Sequence, residues 1–380
     1  MAMTVWQLPR DLVEEEILCR IPATYLKGLR STCKRWNNLF KDKRFVRNHF
    51  DKAAKQFLLL MLTKEFKIFA LRINLHGTIS SDFKGDMSLL GSPSCHNSAQ
   101  LDISQVFHYD GLLLCIMRED TRIVVWNPCT GQTKWINQPI KPHKLCDTYN
   151  LGSYRECNSP NDSYKILRHG LYGGTDKFEI CEMNSNAWRI LDANPDFQLF
   201  FTNSSVSLNG KTYWFALDEK ERHLGMFLAS FDYTTERFGC LRLPHQCFPV
   251  DCGETEALSV VREEKLSVLL RRRETSKTEI WVTNEIDETR AVSSWSKVLV
   301  ADYPLVDISI ELSFVVDEGK KVAVCFERWM EFEDVTKSYD LVNIVGEDNK
   351  VTQVYYGAST MSSCQWPRLC SYVPSLVQIP

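Results

Sequence analysis

Apolar positions follow two different rhythms along this chain. Between Leu8 and Phe50 they recur at helical spacing, whereas beyond Gln56 they fall in short blocks bounded by turn residues. Leu12, Val13, Ile17 and Leu18 form a first apolar stripe, which Pro22 ends. Pro9 suits a first helical turn, and Asp11 with Glu14, Glu15 and Glu16 puts negative charge at a helix N-terminus. Leu26, Leu29, Cys33, Trp36, Leu39 and Phe40 then predict a second helical face, with Gly28 as a break between two short helices. Phe45, Val46, His49 and Phe50 predict one further turn or two. Some forty residues of short helices bury too little to be stable alone. They must pack on the rest of the chain or present apolar side chains to a partner.

The remainder reads as strands. Gln56–Leu62 and Phe66–Ile73 suggest a hairpin, and four-strand units follow. Their third strands centre near Phe69, Val125, Cys181, Phe231, Trp281 and Val342. Turn signals at Asp110-Gly111, Asn209-Gly210 and Glu318-Gly319 sit where hairpins need positive φ. Four strands repeated about six times predict a β-propeller of kelch-like period. Paired glycines of the kelch kind occur once, at Gly173-Gly174, and a two-sheet sandwich is the alternative. Leu376–Ile379 is the candidate segment for closing the ring on the first unit.

The order Leu8-Pro9, Asp11-Leu12-Val13, Ile17-Leu18-x-Arg20-Ile21-Pro22, Leu26-x-x-Leu29-Arg30-Ser31-Thr32-Cys33-Lys34-x-Trp36-Asn37-x-Leu39-Phe40 resembles the plant form of the F-box. The resemblance implies docking on the small Skp-type adaptor of a cullin–RING ubiquitin ligase. Leu8, Pro9, Leu12, Ile17, Leu18, Ile21, Pro22, Leu26, Leu29 and Trp36 would dock on or frame the adaptor surface. The family usually has two acidic residues where this chain has Glu14, Glu15 and Glu16. One extra residue turns a helix by about 100°. The helix must absorb it as a one-turn bulge or start one residue later; otherwise apolar anchors miss the adaptor.

The later region resembles the plant F-box-associated domain. Asp110-Gly111-Leu112-Leu113, Val125-Trp126-Asn127-Pro128-x-Thr130-Gly131, Leu208-Asn209-Gly210-x-x-Tyr213-Trp214, Ser230-Phe231-Asp232-Tyr233 and Tyr372-Val373-Pro374-Ser375-Leu376 carry the likeness. It implies a platform that holds a substrate protein and performs no chemistry of its own. The expected organisation is therefore all-α F-box helices over residues 2–50 and an all-β, propeller-like domain over 56–380.

Composition adds limits. At 380 residues with 44% hydrophobic and 24% charged residues, the chain has the balance of a globular protein. It has no apolar run of membrane-spanning length, and Met1–Gln7 lacks the features of a signal peptide. Fourteen cysteines without paired spacing suit buried free thiols, and a location in the cytoplasm, the nucleus or both is expected. The net charge of −3 hides an asymmetry: the first 56 residues hold twelve Lys and Arg against six Asp and Glu, the rest thirty-three against forty-two. The basic excess reads as a solvated face on the late helices, with an acidic protein surface as the alternative. Nothing in the pattern supports a nucleic-acid site.

His245, Cys247 and Cys252 lie close in sequence, but no fourth ligand accompanies them, so no metal or cofactor is expected. No catalytic motif appears. Trp126, Trp188, Trp214, Trp281 and Trp295 recur at matching places and read as core packing. Partner contact is expected from loops. Pro139–Asp162 is one candidate. Glu327–Lys337 is the other, with Arg328, Trp329, Met330 and Phe332 as candidate substrate-binding residues.

Overall fold

The computed structural model describes residues 9, 12–53, 58–62, 68–72, 82–87, 102–118, 121–141, 147–155, 162–172, 175–192, 195, 197–199, 205–218, 220–247, 255–271, 277–287, 292–302, 309–330, 337–347, 351–360 and 368–380. A π-helical turn at Leu12–Ile17 and a 3-10 turn at Leu18–Arg20 open the chain. Helices α1 (Ala23–Leu29), α2 (Lys34–Leu39) and α3 (Lys43–Lys52) follow. Helix α1 runs through Gly28. The break comes later, at Arg30–Cys33, where the Cys33 Sγ accepts the Trp36 N–H and caps α2.

Strands β1 (Leu58–Leu62), β2 (Ile68–Arg72) and β3 (Asp82–Met87) begin the all-β region. Next come β4 (Ile103–Tyr109), β5 (Leu112–Met117), β6 (Ile123–Asn127) and β7 (Gln132–Ile136). The third group is β8 (Thr148–Arg155), β9 (Asp162–Tyr172), β10 (Thr175–Glu182) and β11 (Ala187–Ile190). The fourth is β12 (Gln198–Leu199), β13 (Val206–Leu208), β14 (Lys211–Leu217), β15 (Phe227–Asp232) and β16 (Arg237–Arg242). Then follow β17 (Thr255–Val261), β18 (Lys265–Arg271), β19 (Lys277–Asp287) and β20 (Val292–Asp302). The last are β21 (Ser309–Asp317), β22 (Val322–Met330), β23 (Lys337–Gly346), β24 (Val351–Thr360) and β25 (Arg368–Tyr372).

These described strands form six antiparallel sheets. The inner strands β4, β8, β13, β17, β21 and β25 touch in turn and close a ring, so the architecture is a propeller and not a sandwich. Ring closure differs from the expectation. The first sheet runs β25-β1-β2-β3, with Leu60 opposite Cys370, so Arg368–Tyr372 closes the ring and Leu376–Ile379 does not. The tail turns aside because Asn127 Nδ2 donates to the carbonyls of Ser375 (3.2 Å) and Val377 (2.8 Å).

Turn chemistry sets the hairpins. Asp110 and Gly111 (φ 53° and 76°) and Asn209 and Gly210 (φ 51° and 72°) take the paired positive φ of a tight hairpin. The turn at Glu318-Gly319 works otherwise: Asp317 Oδ1 accepts the Gly319 and Lys320 N–H groups, and positive φ falls on Lys321. Asp232 with Glu236 and Asn127 with Gly131 repeat that device.

Apolar clusters fill the spaces between neighbouring blades. The tryptophans serve this packing. Trp126 and Trp214 are buried. Trp188 and Trp295 lash outer strands to the preceding blade, their Nε1–H groups donating to the carbonyls of Asn137 (2.7 Å) and Arg242 (3.0 Å).

Candidate functional site

The three glutamates decide the shape of the first helix. An extra residue in a helix is accommodated by a widened π turn, and Leu12–Ile17 adopts one. Leu18 and Cys19 then face inward at 3% and 0% exposure, while Leu12 and Ile17 stay 43% and 40% exposed. Lying five residues apart, these two fall one π turn apart. Each glutamate also has a cation. Glu14 meets Arg35 at 2.6 Å, Glu15 meets Arg44 at 3.3 Å, and Glu16 meets Arg20 at 3.0 Å and Lys52 at 3.9 Å. Part of the basic excess on the late helices therefore faces carboxylates of this chain. Arg20, its hydrogen bond first and then the charge of Lys52, holds the Glu16 carboxyl below the usual range.

Beneath this face lies a small core of Leu18, Cys19, Ala23, Leu26, Phe40, Phe45 and Val46, with Val13, Ile21, Leu29, Trp36 and Leu39 packed around it. The core includes two residues from beyond the helices, Cys129 of the β6–β7 turn and Leu376 of the tail. Lys27 Nζ donates to the Pro128 carbonyl (3.4 Å), and Arg30 Nη1 to that of Thr130 (3.3 Å). The helices thus pack on one propeller turn and one tail segment, which resolves how so short a module is held.

His49 is buried inside this unit, with Nε2 2.8 Å from the Ile21 carbonyl. Burial lowers its pKa, and the Ile21 hydrogen bond opposes that only in part. An ordinary histidine in the unfolded chain titrates near about 6.5. Below that pH the unfolded chain takes up a proton that the folded chain refuses. Stability is therefore lost as pH falls from about 6.5, by at most about 1.4 kcal/mol per pH unit. Denaturation between pH 7 and 5 should show a shallower loss for His49→Gln than for the wild type.

Two comparisons identify this arrangement. Residues 6–48 match the family described as F-box domain, and residues 58–379 match the F-box associated beta propeller domain. The chain belongs to the F-box proteins with an F-box associated β-propeller. Its relatives include a protein of Arabidopsis thaliana named a probable F-box protein, 52% identical over 98% of this chain and 86% of the relative. An F-box/kelch-repeat protein of the same plant is 46% identical over 99% of this chain and 97% of its own length. F-box protein ETP2, also of Arabidopsis thaliana, is 45% identical over 98% and 96%.

Within the F-box helices, the expected docking residues fall into three groups. Pro9, Leu12 and Ile17 are exposed; Ile21, Pro22, Leu29 and Trp36 are half-buried; Leu18 and Leu26 are buried and serve as the base. Leu8 lies outside the described residues. Tyr25, 65% exposed on α1, was not among the expected residues. Its signal, a single aromatic next to Leu26, is too weak to read from one sequence.

On the propeller, both loop expectations need correction. Arg328, Trp329 and Met330 belong to β22, with backbones opposite Asp340, Tyr339 and Ser338 of β23. The hairpin extends further than the charged composition suggested, and Glu327 is buried within it, accepting from Asn343 Nδ2 at 3.4 Å. Phe332 lies outside the described residues. The stretch from Pro139 contains inner strand β8 and two members of a buried polar network. Arg168 meets Asp147 Oδ2 at 2.5 Å, Glu179 Oε2 at 2.7 Å and the Lys141 carbonyl at 2.7 Å. Among the described residues, no group of three or more His, Cys, Asp or Glu could hold a metal ion. Cys247 is buried and donates to the His245 carbonyl, while Cys252 lies outside the described residues. Among the described residues no helix is long and apolar enough to cross a membrane.

Proposed function

We propose that this chain is the substrate-recognition subunit of an SCF-type cullin–RING ubiquitin ligase. The F-box helices dock a Skp-type adaptor, and through it the cullin and RING subunits, while the propeller holds a substrate protein. The exposed pair Leu12 and Ile17, set on the buried base of Leu18 and Leu26, carries this reading. Apolar side chains on a short helix suit insertion into a partner's groove. Pro9 extends the exposed apolar surface, and Ile21, Pro22, Leu29 and Trp36 form its rim.

The packing of the helices on the propeller supports the second half of the proposal. With Leu376 and Cys129 inside the helical core, adaptor and substrate would sit at a fixed separation. Holding a substrate lysine near a carrier charged with ubiquitin raises its effective concentration, and the receptor needs no catalytic group for that.

The test is adaptor binding by the purified full chain. Burying one aliphatic side chain contributes about 1.5–3 kcal/mol, so Ile17→Asp should weaken binding about 10- to 100-fold. Val351→Asp, on an exposed propeller edge, should leave it unchanged. Equal binding by wild type and Ile17→Asp would overturn the proposed face.

A further inference from the structure

Asn127 ends strand β6 and is fully buried. Its side chain makes every hydrogen bond that an amide can make. Oδ1 accepts the N–H groups of Cys129 (2.9 Å) and Thr130 (3.1 Å). Nδ2 donates to the carbonyls of Ser375 (3.2 Å) and Val377 (2.8 Å). These bonds fall on the two places where the propeller enters the helical core. Cys129 is held by its own N–H, and Leu376 lies between the two carbonyls. The carbonyls on either side of Cys129, those of Pro128 and Thr130, receive Lys27 and Arg30 from the helices.

Two other turns show what the amide adds. Asp232 Oδ1 accepts the N–H groups of Thr234 and Thr235, and Asp317 Oδ1 those of Gly319 and Lys320. A carboxylate therefore suffices for the turn itself. The amide at position 127 brings two donors besides, and both go to the tail. The amide cannot be turned over, because that would set oxygen against carbonyls and N–H against N–H. Ser375 Oγ, donating to the Asp110 carbonyl, and Gln132, accepting the Ile379 N–H, hold the tail on either side of Leu376.

We propose that Asn127 is a positioning residue: by holding Cys129 and Leu376 in one frame, it sets the direction of the F-box helices relative to the propeller. The use of that direction in presenting a substrate rests on the ligase reading, whereas the placement itself does not.

The experiment measures, by pulsed electron paramagnetic resonance on the full chain, the distance between spin labels on encoded side chains at Lys43 of α3 and Lys177 of β10, both exposed. The wild type should give one narrow distribution. Asn127→Asp keeps an acceptor for the turn but sets a carboxylate oxygen against two carbonyls. It should lose the narrow distribution while circular dichroism still shows a folded propeller. Asn127→Ser, whose hydroxyl can also accept within a turn, should do the same and serves if the first variant fails to fold. Asp232→Asn, the matching exchange in the fourth blade, should leave the distribution as in the wild type. A role in stability alone would lower the melting temperature and leave the distance below it unchanged. A wild-type distribution in both Asn127 variants, or equal broadening in Asp232→Asn, would overturn the proposal. Titrating the same labelled chain with a purified Skp-type adaptor tests the ligase reading separately. Loss of the narrow distribution without adaptor binding would remove that reading and support the positioning role.

Discussion

Replacing Arg168 by leucine should destabilise the propeller by about 3–5 kcal/mol, the usual result of breaking a buried ion pair from one side. Arg168 on β9 is 1% exposed, and its partners Asp147 and Glu179 are 0% and 3% exposed. One guanidinium holds both carboxylates, and Nη1 also donates to the Lys141 carbonyl at 2.7 Å. Lys141 N–H in turn donates to Glu179 Oε1, and Gln105 Nε2 to the Asp147 carbonyl. The network thus pins the segment entering β8 against β9, β10 and β4. Leucine fills part of the space but removes the guanidinium that both buried carboxylates meet. Replacing all three charged residues by leucine should restore much of the loss, because the apolar set carries no desolvation penalty. Urea denaturation of the single and triple variants measures both effects; a single variant within about 1 kcal/mol of wild type would contradict the description of the network.

The second large effect is expected at Tyr233. Its ring lies fully buried against the backbone of Gly152, where a Cβ would come within 2.1 Å of the ring. Its hydroxyl bonds with Thr212 Oγ1 at 2.8 Å, which bonds with Ser207 Oγ at 2.6 Å. The ring therefore joins the third and fourth blades near their inner strands. Tyr233→Ala should cost about 3–5 kcal/mol, the range for truncating a buried aromatic. Tyr233→Phe removes only the hydroxyl, and because Thr212 keeps Ser207, about 0.5–1.5 kcal/mol is expected. Comparable losses for both would mean that the hydroxyl network, not the packing, dominates there.

The same tyrosine explains where sequence reasoning stopped. Each expected third-strand centre lies in the third strand of its sheet, Phe69 in β2, Val125 in β6, Cys181 in β10, Phe231 in β15, Trp281 in β19 and Val342 in β23. Those strands are dense in apolar and aromatic residues, so their pattern is local. Strand β8 reads Thr148-Tyr149-Asn150-Leu151-Gly152-Ser153, and two of those residues argue against a strand. Both have tertiary reasons: Gly152 makes room for Tyr233, and Asn150 Oδ1 accepts from Ser205 Oγ at 2.6 Å. The closing strand is a similar case, since the tail beyond β25 is the more apolar of the two, and Asn127, Gln132 and the Asp110 carbonyl draw that tail away.

The F-box helices were legible in kind but not in arrangement. Apolar spacing marked Leu12, Ile17, Leu18 and Leu26 alike, yet two of them are exposed and two buried. The division follows from the π turn, which a pattern of period 3.6 cannot express. The sequence raised the three-glutamate run as a possible obstacle to docking. In the structure the turn takes up the extra residue, and Arg35, Arg44 and Arg20 meet the three carboxylates. Pairing between separate helices has no sequence period, so those partners could not be read from one chain.

The most direct measurement is the affinity of the full chain for a purified Skp-type adaptor, alongside a variant lacking Glu15. If the π turn sets Leu12 and Ile17 for docking, the wild type binds and the deletion brings no gain. Failure of the folded wild type to bind, or binding only after Glu15 is removed, would contradict the account.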